Sequence, residues 1–493
     1  MNLLAFQIIT FLFFGLFIFK GLYGNLAHAF SLSTAARRGR NNPDHGNNAN
    51  QKYKPVVVVG KIIIDEYGDP YPSSGEKNTI NKHGDQSSYE PRETEASPLS
   101  ISIGGGGPQA AFGAAAALAV WDSYHVNGIG DKNSSVSSMK LTPSCQQPIP
   151  PVLFLAPVGK DWTKSETIAL LSALNTTTSR SSSGGDCKEC ITPASITSQG
   201  QNNNIVTHLI QSEDSITPRI RLWHDQDQVV HWYAINDSFG PKGADGLWRN
   251  RPSAEDLVSV LSTENCSECD GIILHVIAEA GKDAAGGQLD CLPLITDPTL
   301  VESHLSFLGI EPVASGESIE EEDALSAGTI LEGSWKKTSS LDSVFWCPDY
   351  ALDQAMRKHN IYDTFHKNGG KDKESTSILV STRDGPRGSQ IWYPFGDGSS
   401  RDITIPAAAL STKNGEPIDP TGAGNAYSAA MTALLGNSVP LNIAASIATG
   451  VGAVVCEYEG LPTAMINKAT WSKIVERIHE AATEVRAKLK EEH

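Results

Sequence analysis

Apolar runs of four to seven residues recur along this chain from Val56 onward, and Ala-rich or amphipathic stretches of helical length lie between them. That alternation narrows the fold more than any other feature. Val56-Val57-Val58-Val59-Gly60, Val152 to Val158, Gly271 to Val276, Val344 to Cys347 and Ile378 to Thr382 are too continuously apolar for strands with one wet face. They read as strands of a parallel sheet covered on both sides. Ile62-Ile63-Ile64-Asp65 is expected to continue the first of them, so that an acid ends the strand at the sheet's carboxyl edge. Ile391 to Pro394 is expected to pair nearby. The tail repeats Trp471, Ile474, Val475, Ile478, Ala482, Val485 and Leu489, the period of an amphipathic helix. Strands alternating with helices over residues 55–493 predict one layered α/β domain.

Three stretches interrupt this pattern. Residues 69–98, 176–204 and 311–343 are polar and low in large apolar side chains, and are expected to be insertions. Pro218 to Ile235 reads as a hairpin turning at Asp225-Gln226-Asp227, either a lid or a solvent-facing ribbon, with Arg219 and Arg221 solvated.

Charge excludes one class of partner. The chain carries a formal −17, and residues 1–43 hold four basic side chains and no acid, which leaves −21 on the rest. A body that acidic has no broad field for a polyanion, so nucleic acid is not expected as a partner.

The first 54 residues read as a leader. Residues 3–19 are almost continuously apolar, and Ala27-His28-Ala29 has the spacing a signal peptidase reads. Residues 1–29 are therefore expected to be a cleaved signal, with an uncleaved anchor as the other reading and no stable membrane span after cleavage. Residues 30–54 begin Phe30-Ser31-Leu32-Ser33-Thr34 and continue through Arg37, Arg38 and Arg40, the composition of a transit peptide. The two parts together resemble the bipartite plastid leaders of algae with secondary plastids. The secretory pathway is the alternative, and sequons at Asn133, Asn175, Asn236 and Asn265 fit it. Cys187 with Cys190 and Cys266 with Cys269 have the spacing of a zinc site, but lie far apart in polar surroundings that suit free thiols or a loop disulfide equally.

Chemistry is concentrated in Asp419-Pro420-Thr421-Gly422-Ala423-Gly424-Asn425, which feeds an Ala-rich helix to Leu435 with Gly436 as its stop. Glycines before a helix let successive N–H groups turn toward one point, where the helix dipole adds positive potential. An anion fits such a nest; a structural tight turn uses the same residues.

The segment from Asp419 to Ala426 closely resembles the C-terminal signature of the pfkB (ribokinase-like) carbohydrate kinases. Asp65 after Gly60 resembles that family's substrate-holding strand end, Gly105-Gly106-Gly107-Pro108 its di-glycine substrate loop, and Val158-Gly159-Lys160-Asp161 its turn after a core strand. Thr382-Arg383-Asp384-Gly385 resembles the turn that touches nucleotide. The resemblance implies a three-layer αβα sandwich with a mostly parallel central sheet and a small β lid. It implies ATP and Mg2+ as cofactors and phosphoryl transfer to a sugar-like hydroxyl; a homodimer is compatible with the sequence. It assigns substrate to Asp65, Gly105, Gly106 and Asp419. It assigns the anion hole and nucleotide to Thr421, Gly422, Ala423, Gly424, Thr382 and Gly385, and the catalytic position to 425.

Departures from the family's pattern are as informative. Position 425 is Asn where the family has its catalytic Asp, and a carboxamide is no proton acceptor near neutral pH. The family's substrate-loop Asn is Ala110, and its Asn-x-x-Glu motif for magnesium and phosphate is Asp349-Tyr350-Ala351-Leu352, without the Glu. Two expectations follow: an ATP-dependent kinase weakened at its base, or a degenerate kinase fold that binds a ligand or serves as a scaffold in a plastid. Restoring Asp at 425 is expected to raise any phosphotransfer severalfold. A dinucleotide-binding Rossmann site fits less well, because Pro108 removes an amide from the glycine cradle.

Overall fold

The computed structural model describes residues 53–67, 100–126, 150–174, 177–178, 205–224, 230–235, 247, 252–263, 271–280, 294, 304–314, 321–337, 343–362, 377–394, 400–462 and 468–491. The leader apart from Tyr53 and Lys54, the asparagines of the four sequons, both close cysteine pairs, the hairpin turn at 225–227 and the whole of 69–98 lie outside them, as does 176–204 apart from Thr177 and Thr178.

Strand β1 (Val56–Val59) lies inside a ten-stranded sheet and shows why its four valines are needed. Val56 and Val58 point into one apolar cluster, Val57 and Val59 into another, because alternate residues of a strand face opposite sides. The sheet continues through β4 (Val152–Val158), β5 (Thr177–Thr178), β6 (Ile205–Gln211), β9 (Ile272–Ala280), β10 (Leu305–Ala314), β11 (Ser343–Trp346) and β12 (Ser377–Arg383). All these neighbours pair in parallel; β13 (Ser389–Pro394) and β14 (Ser400–Ile405) add an antiparallel edge, in the order β14-β13-β12-β11-β10-β9-β1-β4-β6-β5.

One face of the sheet is covered by α1 (Gly106–Val126), α6 (Ala423–Gly436), α7 (Leu441–Cys456) and α8 (Lys468–Glu491), with α2 (Lys164–Leu174) at its margin. The other is covered by α3 (Ala254–Thr263), α4 (Glu321–Lys337) and α5 (Tyr350–Lys358). This is the three-layer αβα sandwich with a mostly parallel sheet. Small side chains let α1 and α6 approach closely: a Cβ on Gly113 would overlap the Ala426 main chain. That contact brings the first turns of α1 and α6 side by side. Among the described residues no helix is long and apolar enough to cross a membrane.

Three expectations are corrected. The run 56–65 is two strands, not one: β2 (Ile63–Tyr67) leaves the large sheet and joins a second, four-stranded sheet with β3 (Ser100–Gly104), β7 (Arg219–His224) and β8 (Val230–Ala234), in the order β3-β2-β7-β8. Asp65 therefore belongs to the small sheet. The hairpin 218–235 is the other half of that sheet rather than a free ribbon, and its arginines are tied down. Arg219 pairs with Glu166 at 2.5 Å and with Asp161 at 3.5 Å, and buried Arg221 pairs with Glu66 at 3.0 Å. Finally, 311–343 is no insertion. It holds the end of β10 and helix α4, whose Ala324, Ala327, Ile330 and Leu331 are buried against the sheet. Four modest side chains at helical spacing make that face, so the absence of large apolar residues hid it.

Candidate functional site

The first turn of α6 and the turn between β3 and α1 meet in one place. Gly422 precedes α6 with φ +80, the left-handed region that favours glycine, and a Cβ there would also strike the Gln109 side chain. At Gly424 a Cβ would fall on the Arg383 guanidinium. The two glycines of the nest are thus required by what packs on them: an amide at one end and a cation at the other. Gly424 and Asn425 present N–H groups of the kind that an α-helix leaves without an intrahelical acceptor.

Asp419 fixes the approach to this turn. Its Oδ1 accepts from Thr421 N at 2.9 Å and its Oδ2 from Gly460 N at 3.0 Å, while Ala423 N donates to Pro420 O at 3.2 Å. The resemblance assigned Asp419 to substrate; with both oxygens spent on main chain and only 1% exposure, it anchors the nest.

Asp65 and Asn425 converge on the glycine turn between β3 and α1. A Cβ on Gly104 would run into the Asp65 carboxyl, and one on Gly106 would lie 2.8 Å from Asn425 Nδ2. Between them Gly105 takes φ +85. Asp65 is buried; that burial, and then the Asp419 carboxylate nearby, push its pKa up to about 8. Asp65, Gly105, Gly106, Gly422, Ala423, Gly424 and Asn425 therefore lie close together, with Asp65 reaching the place from the small sheet.

Sequence reasoning missed the residue that organises the site's charge. Glu311, fully buried on β10, accepts from Arg383 Nη1 at 2.6 Å and from Asn425 Nδ2 at 3.0 Å through the same oxygen, Oε1. Its Oε2 lies 3.6 Å from His275 Nε2, and His275 Nδ1 is 2.9 Å from Thr432 Oγ1 on α6. Burial alone would raise the Glu311 carboxyl, but Arg383 and His275 outweigh it and hold the group below its ordinary value. Burial likewise works against the Arg383 charge, and the Glu311 carboxylate more than offsets it, so the guanidinium stays charged. Because only an amide NH2 can face a carboxylate, the Asn425 Oδ1 is left to accept a hydrogen bond elsewhere. Glu311 lay in a segment expected to be an insertion, and Arg383 was visible only as the second residue of a turn motif. An acid inside an apolar strand, Leu308 to Val313, was the available signal for Glu311.

The remaining positions fall nearby but differ in use. Thr382 Oγ1 donates to Gln390 O at 3.4 Å inside the sheet, and Gly385 opens a short 3-10 turn with φ +50. Arg383, between them, is the one whose side chain meets the nest. Ala110 is fully buried in α1. Asp349 caps α5, its Oδ1 accepting from Leu352 N at 2.7 Å, and Leu352 is fully buried. Among the described residues no three His, Cys, Asp or Glu side chains are grouped to hold a metal ion. The residues at 349 and 352 do not fit a magnesium ion held by the protein, because one is spent as a helix cap and the other is apolar. The nest itself fits a phosphate.

No family model matches the sequence. No curated protein matches it either. Among solved structures the chain is similar to a nucleoside kinase of Methanocaldococcus jannaschii described as an archaeal member of the ribokinase family, with 16% identity over 87% of this chain and 99% of that one and a TM-score of 0.46. It is similar to ribokinase from Giardia lamblia, at 15% identity over 87% and 99% with a TM-score of 0.48. It is also similar to Arabidopsis thaliana ribokinase complexed with ribose and ATP, at 13% identity over 86% and 99% with a TM-score of 0.43.

Proposed function

We propose that this chain binds a nucleoside triphosphate with its terminal phosphate on the amides that open α6, binds a sugar or similar polyol against Asp65, and transfers the phosphoryl group between them. One observation carries this reading: Asp65 and Asn425 approach the same glycine turn, Gly104 to Gly106, beside the nest at Gly422 to Gly424. A substrate hydroxyl held by Asp65 and by Asn425 Oδ1 lies in reach of a phosphate on those amides. In the transfer, the hydroxyl oxygen forms a bond to the terminal phosphorus while the bond to the bridging oxygen breaks, which yields a phosphate ester and a nucleoside diphosphate.

The hydroxyl proton leaves to solvent, since Asn425 has no charge to take it. General-base help is worth ~10²–10⁴ in rate, so turnover is slow. Phosphoryl transfer through a loose transition state depends chiefly on positioning and charge stabilisation. Those remain: the main-chain amides of the nest, the Arg383 guanidinium and the buried Asp65.

A second reading, a degenerate kinase fold that binds ligand without turnover, is favoured by the Asn425–Glu311 contact and the buried Leu352. The discriminating experiment is ADP release by the full chain from ATP over a panel of sugars, polyols and nucleosides. Acceptor-dependent ADP formation supports the kinase; ATP binding with no acceptor-dependent ADP supports the binder. The leader places the protein in the plastid of a secondary-plastid alga in this reading, or in the secretory pathway. A fluorescent fusion of residues 1–50 separates the two.

A further inference from the structure

The resemblance implies a glutamate at 352 to organise magnesium, and the structure has a buried leucine there, with Asp349 turned into a helix cap. The same neighbourhood holds a fixed cation instead. Arg383 rests against Gly424, the second residue of α6, and its side chain keeps 15% exposure. One of its five N–H donors is spent on Glu311. Glu311 is fully buried, and His275, itself 2.9 Å from Thr432, backs its other oxygen. Thr432, His275, Glu311 and Arg383 form a line that ends on the glycine nest.

A second feature stands at the opposite flank. The Gln109 carboxamide lies on Gly422, is 1% exposed, and its Oε1 has no hydrogen-bond partner. An unspent amide oxygen calls for a donor, which a substrate hydroxyl supplies and a phosphate oxygen does not. Here it borders the start of α6.

We propose that Arg383, held in place by Glu311, is the resident cation of this anion site, so that a phosphoryl group is met by the protein's own guanidinium and not by a metal held by the chain. This rests on reading the nest as a phosphate site, but not on turnover. A planar guanidinium suits phosphate oxygens geometrically, and its charge is fixed at every relevant pH. Glu311 cancels part of that charge, so removing Glu311 unmasks it.

The test is calorimetric titration of inorganic tripolyphosphate, and separately ATP, into the full chain, once in excess EDTA and once in Mg2+. Tripolyphosphate is expected to bind in EDTA within about threefold of its affinity in Mg2+. Removing the pair together, Arg383→Gln with Glu311→Gln, leaves no buried charge unpaired and is expected to weaken binding at least about tenfold. Glu311→Gln alone is expected to tighten it severalfold, which a merely structural role would not do. Binding that vanishes in EDTA and returns with Mg2+ overturns the proposal and leaves the phosphotransfer reading standing, as does unchanged affinity in the paired variant. ATP binding without tripolyphosphate binding also overturns it alone. If neither ligand binds in either condition, both readings fall.

Discussion

Asn425 Nδ2 and Arg383 Nη1 donate to the same oxygen of Glu311, at 3.0 and 2.6 Å. The side chain at 425 is thus neutral, and a carboxylate stands one hydrogen bond away on β10. The two residues are matched, and changing one alone breaks the match.

Restoring Asp at 425 is consequently expected to need a second change before it raises phosphotransfer. It sets two carboxylates about 3 Å apart, a repulsion of ~5 kcal/mol at an effective dielectric near 20 before Arg383 offsets part of it. Asn425→Asp alone is expected to lower stability by about 1–3 kcal/mol and to leave phosphotransfer close to wild type. With Glu311→Gln added, the rate is expected to rise at least severalfold. Thermal melts and steady-state rates of the single and double variants check this.

Arg383→Ala strands a fully buried carboxylate and is expected to cost about 3–5 kcal/mol. Replacing both partners, Arg383→Met with Glu311→Gln, is expected to cost far less. Denaturant midpoints of the single and paired variants make the comparison.

Asp65 gives stability a pH dependence of defined sign. Its folded pKa, raised to about 8 by burial and by Asp419, exceeds the ordinary value of 3.8. The folded state therefore holds a proton that the unfolded state has released, and stability falls as pH rises from about 4 to about 8. Asp65→Asn is expected to remove most of that decline, read as Tm against pH.

Gly422→Ala combines a left-handed backbone, costing about 1–2 kcal/mol, with contact against Gln109. It is expected to destabilise by at least that amount. Gly385→Ala, at φ +50 with nothing close to its Cβ, is expected to cost only the backbone strain. A chemical denaturation series separates them.

What the sequence made legible follows the range of the forces involved. The valines of β1 and the repeat of α8 declare their elements locally, because burial on both faces or along one stripe leaves a period in the sequence. The glycine nest was legible for the same reason: it is a contiguous motif. The transfer of Asp65 to a second sheet was not, since one irregular step at Gly60 to Ile62 separates two equally apolar runs. Helix α4 was missed because only four side chains, two of them alanines, form its buried face among polar neighbours. The Glu311–Arg383–Asn425 cluster joins positions 72 and 114 residues apart, brought together by the parallel register of β10 through β12 and by the packing of α6 on β10.

Phosphate binding on the opening turn of α6 is most directly tested by the affinity of the full chain for ATP, compared with Gly424→Ala, whose added methyl would displace the Arg383 guanidinium from the nest. The account predicts that this one methyl weakens ATP at least about tenfold while the fold, followed by circular dichroism, persists. Equal affinity in the two proteins would contradict it.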